Sequence, residues 1–411
     1  MSMRNSFVDT KAGTVSHFSP PIRSSRPVGP GWRKVVTVPV FVLLLGGLLA
    51  ASAQEGGGRT GAFRISFPAD SPVGLVSADW GESRTTTLGG ALAVELRTAL
   101  VLRNSSQQRI RSVTLLVLTQ EVAPGGKASV SVPSLDVRPG ETFPLRIDLR
   151  LVQPVRAGGA QVEVGLDGVL FEDLSFYGPN RLNSRRAMTV WELEARRDRQ
   201  YWKSILEAQG PAGLQKAVLA SLARQGERAS LDVQVTRGGR TTAAGGAEQE
   251  RQFAFLHVPG APLELLSGLA RTSGGEARAA RLEVLNRSDR PVSYFEIGWI
   301  IRDRQGREFV TGSVPGPGPG LRLAPRQKAV AQEDASRRFS LRPGQPIAID
   351  GMTGFVSQVE FADGSIWIPD RAALADPRLE RVLGPSPEEQ RLSELYRKRG
   401  LAALVGELKK Y

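Results

Sequence analysis

Apart from His17, near the start of the chain, the sequence contains one histidine, and it contains no cysteine. A Ser-His-Asp triad would have to use the remaining histidine, His257. The absence of cysteine removes a thiol nucleophile, and the scarcity of both residue types disfavours a zinc site. His257 aligns with Phe67 of an internal repeat, on a strand position expected to point inward. We therefore predict a partly buried structural histidine, and we predict no catalytic, cofactor-binding or metal-binding residues.

Carboxylates are plentiful, so a hydrolytic, carbohydrate-active enzyme using only Asp and Glu stays open as an alternative. Asp173 and Asp363 occupy equivalent repeat positions, and Asp363 precedes Gly364 in a dipeptide typical of hairpin turns. We interpret both as turn residues, with calcium coordination as the alternative, although EF-hand spacing is absent. P-loop, dinucleotide-binding, GxSxG and HExxH motifs are absent from the sequence as well. These observations favour a protein that is not an enzyme.

Two equivalent aromatic residues, Tyr177 and Trp367, are the candidate binding residues. Each lies near the end of the last strand of its repeat, where its ring could stack on a glycan or a peptide. The alternative is that each ring packs against an adjacent helix. Two basic stretches predict solvated helix faces, or else a surface for an acidic partner or anionic lipid; the first contains Arg185, Arg186, Arg196, Arg197, Arg199 and Lys203, and the second Arg397, Lys398, Arg399, Lys409 and Lys410.

Two Asn-x-Ser patterns occur, at Asn104 and at Asn286. Each fits N-glycosylation. Each also fits a turn in which asparagine and serine side chains bond to the backbone at the end of a strand. Both interpretations predict that these residues lie at the surface.

The chain carries an internal duplication. Residues 61–80 align with 251–270 without a gap, at an offset of 190, and the same offset returns where 171–181 aligns with 361–371. Residues 100–110 align with 282–292 at an offset of 182, so the two copies differ by insertions in loops, chiefly around the PGPGPG stretch at 315–320. A duplication of this length predicts two domains of one fold.

Short segments with alternating apolar residues, separated by turn signals, run through both copies. Phe63, Ile65 and Phe67 alternate in the first copy, and Phe253 and Phe255 in the second. This period of two is typical of strands with one buried face. The predicted fold is mainly β with helical extensions: two tandem immunoglobulin-like antiparallel β-sandwiches, each followed by α-helices.

Helical signals follow each copy. A capping box at Thr189 and Glu192 predicts a helix that ends near Gly210, and a second helix stops at Gly226. Ser386 and Pro387 predict another helix start, and Gly400 divides its apolar stripe. The predicted organisation is a signal peptide at 1–53, a flexible leader at 54–60, a first sandwich at 61–181, a helical connector at 182–228, a strand and Gly-rich linker at 229–250, a second sandwich at 251–371 and a helical segment at 372–411.

The N-terminal segment predicts export. Arg33 and Lys34 precede an apolar run, and Ala51-Ser52-Ala53 provides the small residues that a signal peptidase recognises. We predict cleavage after Ala53 and a periplasmic or cell-envelope protein. The alternative is an inner-membrane signal anchor, in which 35–53 stays uncleaved and contacts the membrane.

The charge balance of the exported part bears on its partners. Six basic residues and one acid lie within 1–53, so cleavage lowers the formal net charge from +13 to +8. A charge of this size over a long chain favours anionic surfaces only weakly. Export disfavours nucleic acid as a partner, and the lack of cysteine excludes disulfides.

The segment 281–309 resembles the bacterial exported FxLYD-type sandwich. Asn286, Ser288, Val292, Asp303 and Gly306 fit that family's pattern, although of the Phe-x-Leu-Tyr-Asp signature only Asp303 is present. The resemblance implies an immunoglobulin-like fold in the cell envelope and no catalysis. We therefore expect an exported binding or scaffolding protein without a cofactor, which binds a protein or an envelope glycan. A membrane-tethered component of an envelope complex is a further alternative, and the sequence does not predict an oligomeric state.

Overall fold

A computed structural model of the chain describes residues 63–119, 127–154, 162–227, 231–237, 248–315, 322–332, 335–342 and 345–411. The predicted signal peptide and leader lie outside the described residues. So do 238–247 of the Gly-rich linker and nearly all of the PGPGPG stretch.

The first repeat consists of a run of strands followed by a long helix. Its elements are β1 (Phe63–Ser66), β2 (Val73–Asp79), β3 (Arg84–Leu88), β4 (Ala91–Asn104), β5 (Ile110–Thr119), β6 (Lys127–Val132), β7 (Thr142–Pro154), β8 (Val162–Phe171), β9 (Phe176–Tyr177) and α1 (Ser184–Glu227).

These strands form two facing sheets. One sheet has the order β1-β8-β5-β6, with β9 added to β8; in the other, β2 and β3 share one edge of β4 and β7 takes the opposite edge. One core fills the space between them, with Leu96 and Ile147 from the second sheet packed with Leu115 and Val164 from the first. Because apolar residues alternate along each strand, one face of each sheet enters this core and a β-sandwich results. Strand β1 pairs with β8 in parallel, whereas the other pairs are antiparallel.

The second repeat follows a short connecting strand and has the same plan. The connecting strand is β10 (Asp232–Arg237). The elements of the second repeat are β11 (Gln249–Gln252), β12 (Ala254–Phe255), β13 (Leu263–Ser273), β14 (Glu276–Asn286), β15 (Val292–Asp303), β16 (Glu308–Pro315), β17 (Lys328–Gln332), β18 (Ala335–Arg342), β19 (Gln345–Pro346), β20 (Ile349–Phe361), β21 (Ile366–Trp367), α2 (Arg371–Leu374), α3 (Pro377–Val382) and α4 (Pro387–Leu408).

Its two sheets repeat the arrangement of the first sandwich, with the connecting strand β10 added at one edge. One has the order β12-β20-β15-β16 with a parallel β12–β20 pair, and the other has the order β10-β18-β14-β13-β11, with β17 on β14. Phe295, Trp299, Phe339 and Val359 lie in the shared core. The predicted mainly β fold with helical extensions is confirmed.

Helix α1 lies between the two sandwiches. On one side Met188 is fully buried, and its sulfur accepts a hydrogen bond of 3.2 Å from Thr114 on β5. On the other side Arg186 pairs with Glu360 on β20. The helix starts at Ser184, so the predicted capping box at Thr189 is wrong: the Thr189 hydroxyl donates to the carbonyl of Arg185 inside the helix.

Both long helices break at a glycine, as the sequence predicts. Gly210 in α1 has φ 67° and Gly400 in α4 has φ 77°, in the left-handed region that favours glycine. The two glycines are 190 residues apart, the offset of the strand duplication. The duplicated unit is therefore a sandwich together with a broken helix.

Candidate functional site

Tyr177 is half-buried against the core of the first sandwich. Its hydroxyl donates a hydrogen bond of 2.9 Å to Asp70. Loss of water, together with that hydrogen bond, raises the pKa of Tyr177. The contacts of this ring are those of a packing residue, and its role in binding stays a prediction.

Trp367 is also half-buried, and it contacts two cores at once. It packs on the core of the second sandwich and on a smaller cluster in which Ala373 of α2 and Leu379 of α3 cover the outer face of the β20 sheet. The alternative role, packing against the adjacent helix, is therefore what the structure shows for this residue. The two candidate aromatics lie in separate sandwiches and the structure does not bring them together.

The turn residues have the predicted turn role. Asp363 accepts a hydrogen bond of 3.0 Å from the backbone N–H of Ser365. That bond, the Ser365 hydroxyl and Arg290 lower the pKa of Asp363 to about 2. Asn104 and Asn286 are fully buried, so their predicted surface position is wrong. The side-chain oxygen of each accepts from the serine two residues later, and its amide donates to backbone carbonyls.

His257 lies beyond the end of β12 and is exposed, so its predicted inward position is wrong. The alternation along this segment shifts after Phe255, and Val258 takes the buried position instead. Within the described residues, the side chains of His, Cys, Asp and Glu form no group of three or more that could hold a metal ion. The same part of the chain contains no helix long and apolar enough to cross a membrane.

The helices of the two repeats share one apolar core, which we call the helical clasp. Its buried residues form three pairs at the repeat offset of 190, each residue at most 1% exposed: Trp202 with Leu392, Leu214 with Leu404, and Val218 with Leu408. Each pair has one member in α1 and the other in α4. Because every pair takes one residue from each repeat, neither repeat can form this core alone.

A chain of ion pairs runs beside the clasp from the first sandwich into α4. Arg111 on β5 pairs with Asp136 at 2.7 Å and lies 3.8 Å from Glu192 of α1. Glu192 pairs with Arg199 at 2.9 Å, and Arg199 reaches Glu388 of α4 at 3.4 Å. Burial lowers the pKa of the Arg111 guanidinium, but the carboxylates around it outweigh burial and raise the pKa above its ordinary value.

The basic stretch of α1 is therefore only partly a solvated face: Arg185 and Arg196 are exposed, whereas Arg199 is buried. Arg199 is 5% exposed, and its guanidinium also lies over the ring of Tyr411, 4.4 Å from the centroid. Asp198 is fully buried and pairs with Arg371 at 3.4 Å, so a second set of charges joins α1 to the second repeat. Buried charges of this kind are costly unless each has a partner. The sequence shows the charges, and the common offset of Gly210 and Gly400 is the signal that could have placed them at a junction.

Glu194 lies on the side of α1 that faces β15 and is half-buried. Burial raises the pKa of Glu194 to about 7; Arg197 opposes this shift, and the carboxylates of Asp198 and Glu296 add to it. Nearby, the Tyr294 hydroxyl donates to Glu296 at 2.6 Å, and Arg186 stacks on the Tyr294 ring. This junction between α1 and the second sandwich therefore contains a carboxyl group that titrates near neutral pH.

Comparisons with known proteins add little to these observations. No protein-family model matches the chain, and no curated protein matches it. Among solved structures, the chain is similar to a red sea bream transglutaminase at 9% sequence identity and a TM-score of 0.11, over 70% of this chain and 31% of the transglutaminase chain. The chain thus spans about a third of the length of that structure, and at this TM-score the similarity carries no information on fold or function.

Proposed function

We propose that this protein is an exported cell-envelope scaffold, which binds a protein or glycan partner on its two sandwiches and is not an enzyme. The observation that supports this proposal is the helical clasp. Three buried residue pairs and a chain of partnered charges join the repeats. A protein built in this way holds two similar binding modules at one spacing and orientation.

Energetics favour a clasp that stays closed. Truncating a fully buried tryptophan or leucine costs about 2 to 5 kcal/mol, so the tryptophan and the four leucines of the clasp represent a large share of the stability of a domain. Removing one member of a buried ion pair costs about 3 to 5 kcal/mol, because a charge is left without its partner. Opening the clasp would expose both sets of groups, whereas a flexible tether between sandwiches would need neither.

Export and location stand as part of the proposal. The AxA site after the apolar run favours cleavage after Ala53 and a periplasmic protein. The resemblance of 281–309 to FxLYD-type sandwiches favours an immunoglobulin-like envelope module. N-terminal sequencing of the exported protein separates a free protein, starting near Gln54, from a membrane-tethered one that retains residues 35–53.

In-cell photo-crosslinking tests the scaffold. A photoreactive residue replaces Arg97 on β4 in one variant and Arg281 on β14 in another. Both positions are exposed, and we call the sheets that contain β4 and β14 the outer sheets. The same residue at Leu219, which is 50% exposed on α1, serves as the control site. We expect defined crosslinked partners from the outer sheets. Only background crosslinks from every site would contradict the proposal.

A second candidate, hydrolysis by a pair of carboxylates, is favoured by one observation. Glu194 has a pKa of about 7, suitable for a general acid, and the Glu296 carboxylate acts on it. Purified protein incubated with envelope glycans tests this candidate. Release of soluble fragments by the wild type, and its loss in both E194Q and E296Q, would support the enzyme and overturn the scaffold.

A further inference from the structure

The two sandwiches differ at one sheet edge. In the second sandwich, β10 pairs antiparallel with β18 along its full length, from Asp232 opposite Ser340 to Arg237 opposite Ala335. This strand comes from the connector between the repeats and lies outside the sandwich sequence. In the first sandwich the corresponding edge is β7. Within the described part of the chain, β7 pairs with β4 and with no other strand.

The correspondence follows from the strand that each edge adjoins. Strands β4 and β14 align in the duplication, and β7 and β18 pair on the same side of them. In β18, Arg337 and Phe339 are buried and therefore face inward. They pair with Val235 and Val233 of β10. Leu149 and Leu151 are the inward-facing residues at the matching end of β7. Both edges therefore present two inward-facing side chains at the margin of the core.

Burial at the two margins differs. Phe339 is 0% exposed and Arg337 is 5% exposed. Leu149 and Leu151 are each only half-buried, although they contact the first core. Apolar side chains at the margin of a core gain stability when a further strand removes them from water. The first sandwich therefore has an apolar margin where the second is covered.

The backbone of β7 is also available at this end. Pro144 and Pro154 lack an N–H group, so they fit the positions whose N–H would point away from β4. Because this direction alternates along a strand, the N–H groups of Asp148, Arg150 and Val152 point outward as well. The two prolines limit strand addition to the residues between them. A row of outward N–H and C=O groups in that window is a template for an added strand.

We propose that the outer edge of β7, from Ile147 to Val152, binds an extended segment of another protein as an added antiparallel strand. This inference deepens the scaffold proposal and rests on it. The β10 sequence shows the chemistry that fits. The inward-facing residues set the equivalence, so that Arg337 matches Leu149 and Phe339 matches Leu151. With that equivalence, the register of β10 on β18 puts Val235 opposite Leu149, Gln234 opposite Arg150 and Val233 opposite Leu151. The partner segment alternates β-branched residues with polar residues, and it places an uncharged or acidic residue opposite Arg150.

A peptide tests the edge directly. A labelled synthetic peptide of residues 229–240, which contains the β10 sequence, is titrated with the full chain by fluorescence anisotropy. Arg150→Pro removes one outward N–H and leaves the β4 side of the strand intact, and Arg150→Ala is the matched control that keeps the N–H. We expect saturable binding by the wild type and R150A within about threefold of each other, and a loss of at least tenfold for R150P. A scrambled peptide should not bind.

Three outcomes would overturn the inference. The first is no binding of the peptide up to millimolar concentration by a folded wild-type chain. The second is equal binding by R150P, with its folding checked by circular dichroism, because the peptide would then bind elsewhere. The third is slow hydrogen exchange at Asp148 and Arg150 in the free protein, which would show that another segment of the same chain already occupies the edge.

In-cell crosslinking separates this inference from the scaffold proposal. If wild type and R150P capture the same partners with equal yield, the edge is not the binding surface and the scaffold proposal stands. If neither captures a defined partner from any outer-sheet site, the scaffold proposal itself fails.

Discussion

Glu194→Gln should change how the stability of the protein depends on pH. The pKa of Glu194 is about 7 in the folded chain, against an ordinary value of 4.5. The folded state therefore holds this proton more tightly than the unfolded state. The contribution of protonated Glu194 to stability is complete below the pKa of the unfolded chain, and it is lost as pH rises through 7. Because glutamine cannot ionise, the free energy of unfolding of the variant should not fall from this cause over this pH range.

The magnitude follows from the size of the shift. A difference of about 2.5 pKa units corresponds to about 3 kcal/mol at 1.36 kcal/mol per unit. Because Glu194 is half-buried and not fully enclosed, solvent screening lowers the expected effect to between about 1 and 3 kcal/mol. Relative to wild type, the free energy of unfolding of E194Q should thus rise by that amount between pH 5 and pH 8.

Urea unfolding at pH 5, 6, 7 and 8, followed by circular dichroism, measures this quantity. Glu163→Gln is the matched control, because Glu163 is exposed on β8 and the same chemical change there should leave the pH profile of wild type unaltered. A profile of E194Q that runs parallel to wild type across the series would refute the reasoning, since Glu194 would then not be the group that titrates at this junction.

Three further substitutions test the clasp and its charges. Trp202→Ala should lower the free energy of unfolding by about 3 to 5 kcal/mol, whereas Leu219→Ala, at an exposed site on the same helix, should change it by less than about 0.5 kcal/mol in chemical denaturation. Arg199→Met should cost about 1 to 3 kcal/mol at low and high salt alike, because it removes a buried cation from Glu192 and Glu388, which keep Arg196 and Arg391 as partners. Gly400→Ala should cost about 1 to 2 kcal/mol, because an L-residue is strained at a φ of 77°, whereas Gly384→Ala, at an ordinary φ in open space, should be neutral in thermal unfolding.

The sandwiches were predictable because a strand with one buried face leaves a period of two in the sequence. Leu145 and Ile147 of β7 show this pattern, and both are buried. The second copy of the duplication shows the same period of two. The parallel addition of β1 to β8 was not predictable, since the pairing direction of a four-residue strand leaves no periodic trace.

The junction was not predictable from local pattern, for a physical reason. Arg196 and Arg199 both look like residues of a solvated helix face, yet Arg196 is exposed and Arg199 is buried. Whether a charged side chain is buried depends on a second element that covers it, here α4 from the other repeat. The local sequence shows the charge but not the element that covers it. The sequence therefore predicts a helix-cap role for Glu192, whereas the structure shows an ion pair between Glu192 and Arg199 inside the helix.

The distance between the two sandwiches in solution tests the central claim most directly. The chain has no cysteine, so Arg97→Cys on β4 and Arg281→Cys on β14 give two unique spin-label sites on exposed outer strands. Pulsed electron–electron double resonance then measures the distribution of distances between the two spin labels. The account predicts one narrow distribution, which broadens when Trp202→Ala opens the clasp. A broad distribution in the otherwise unaltered protein would show that the sandwiches move independently and would contradict a scaffold of fixed geometry.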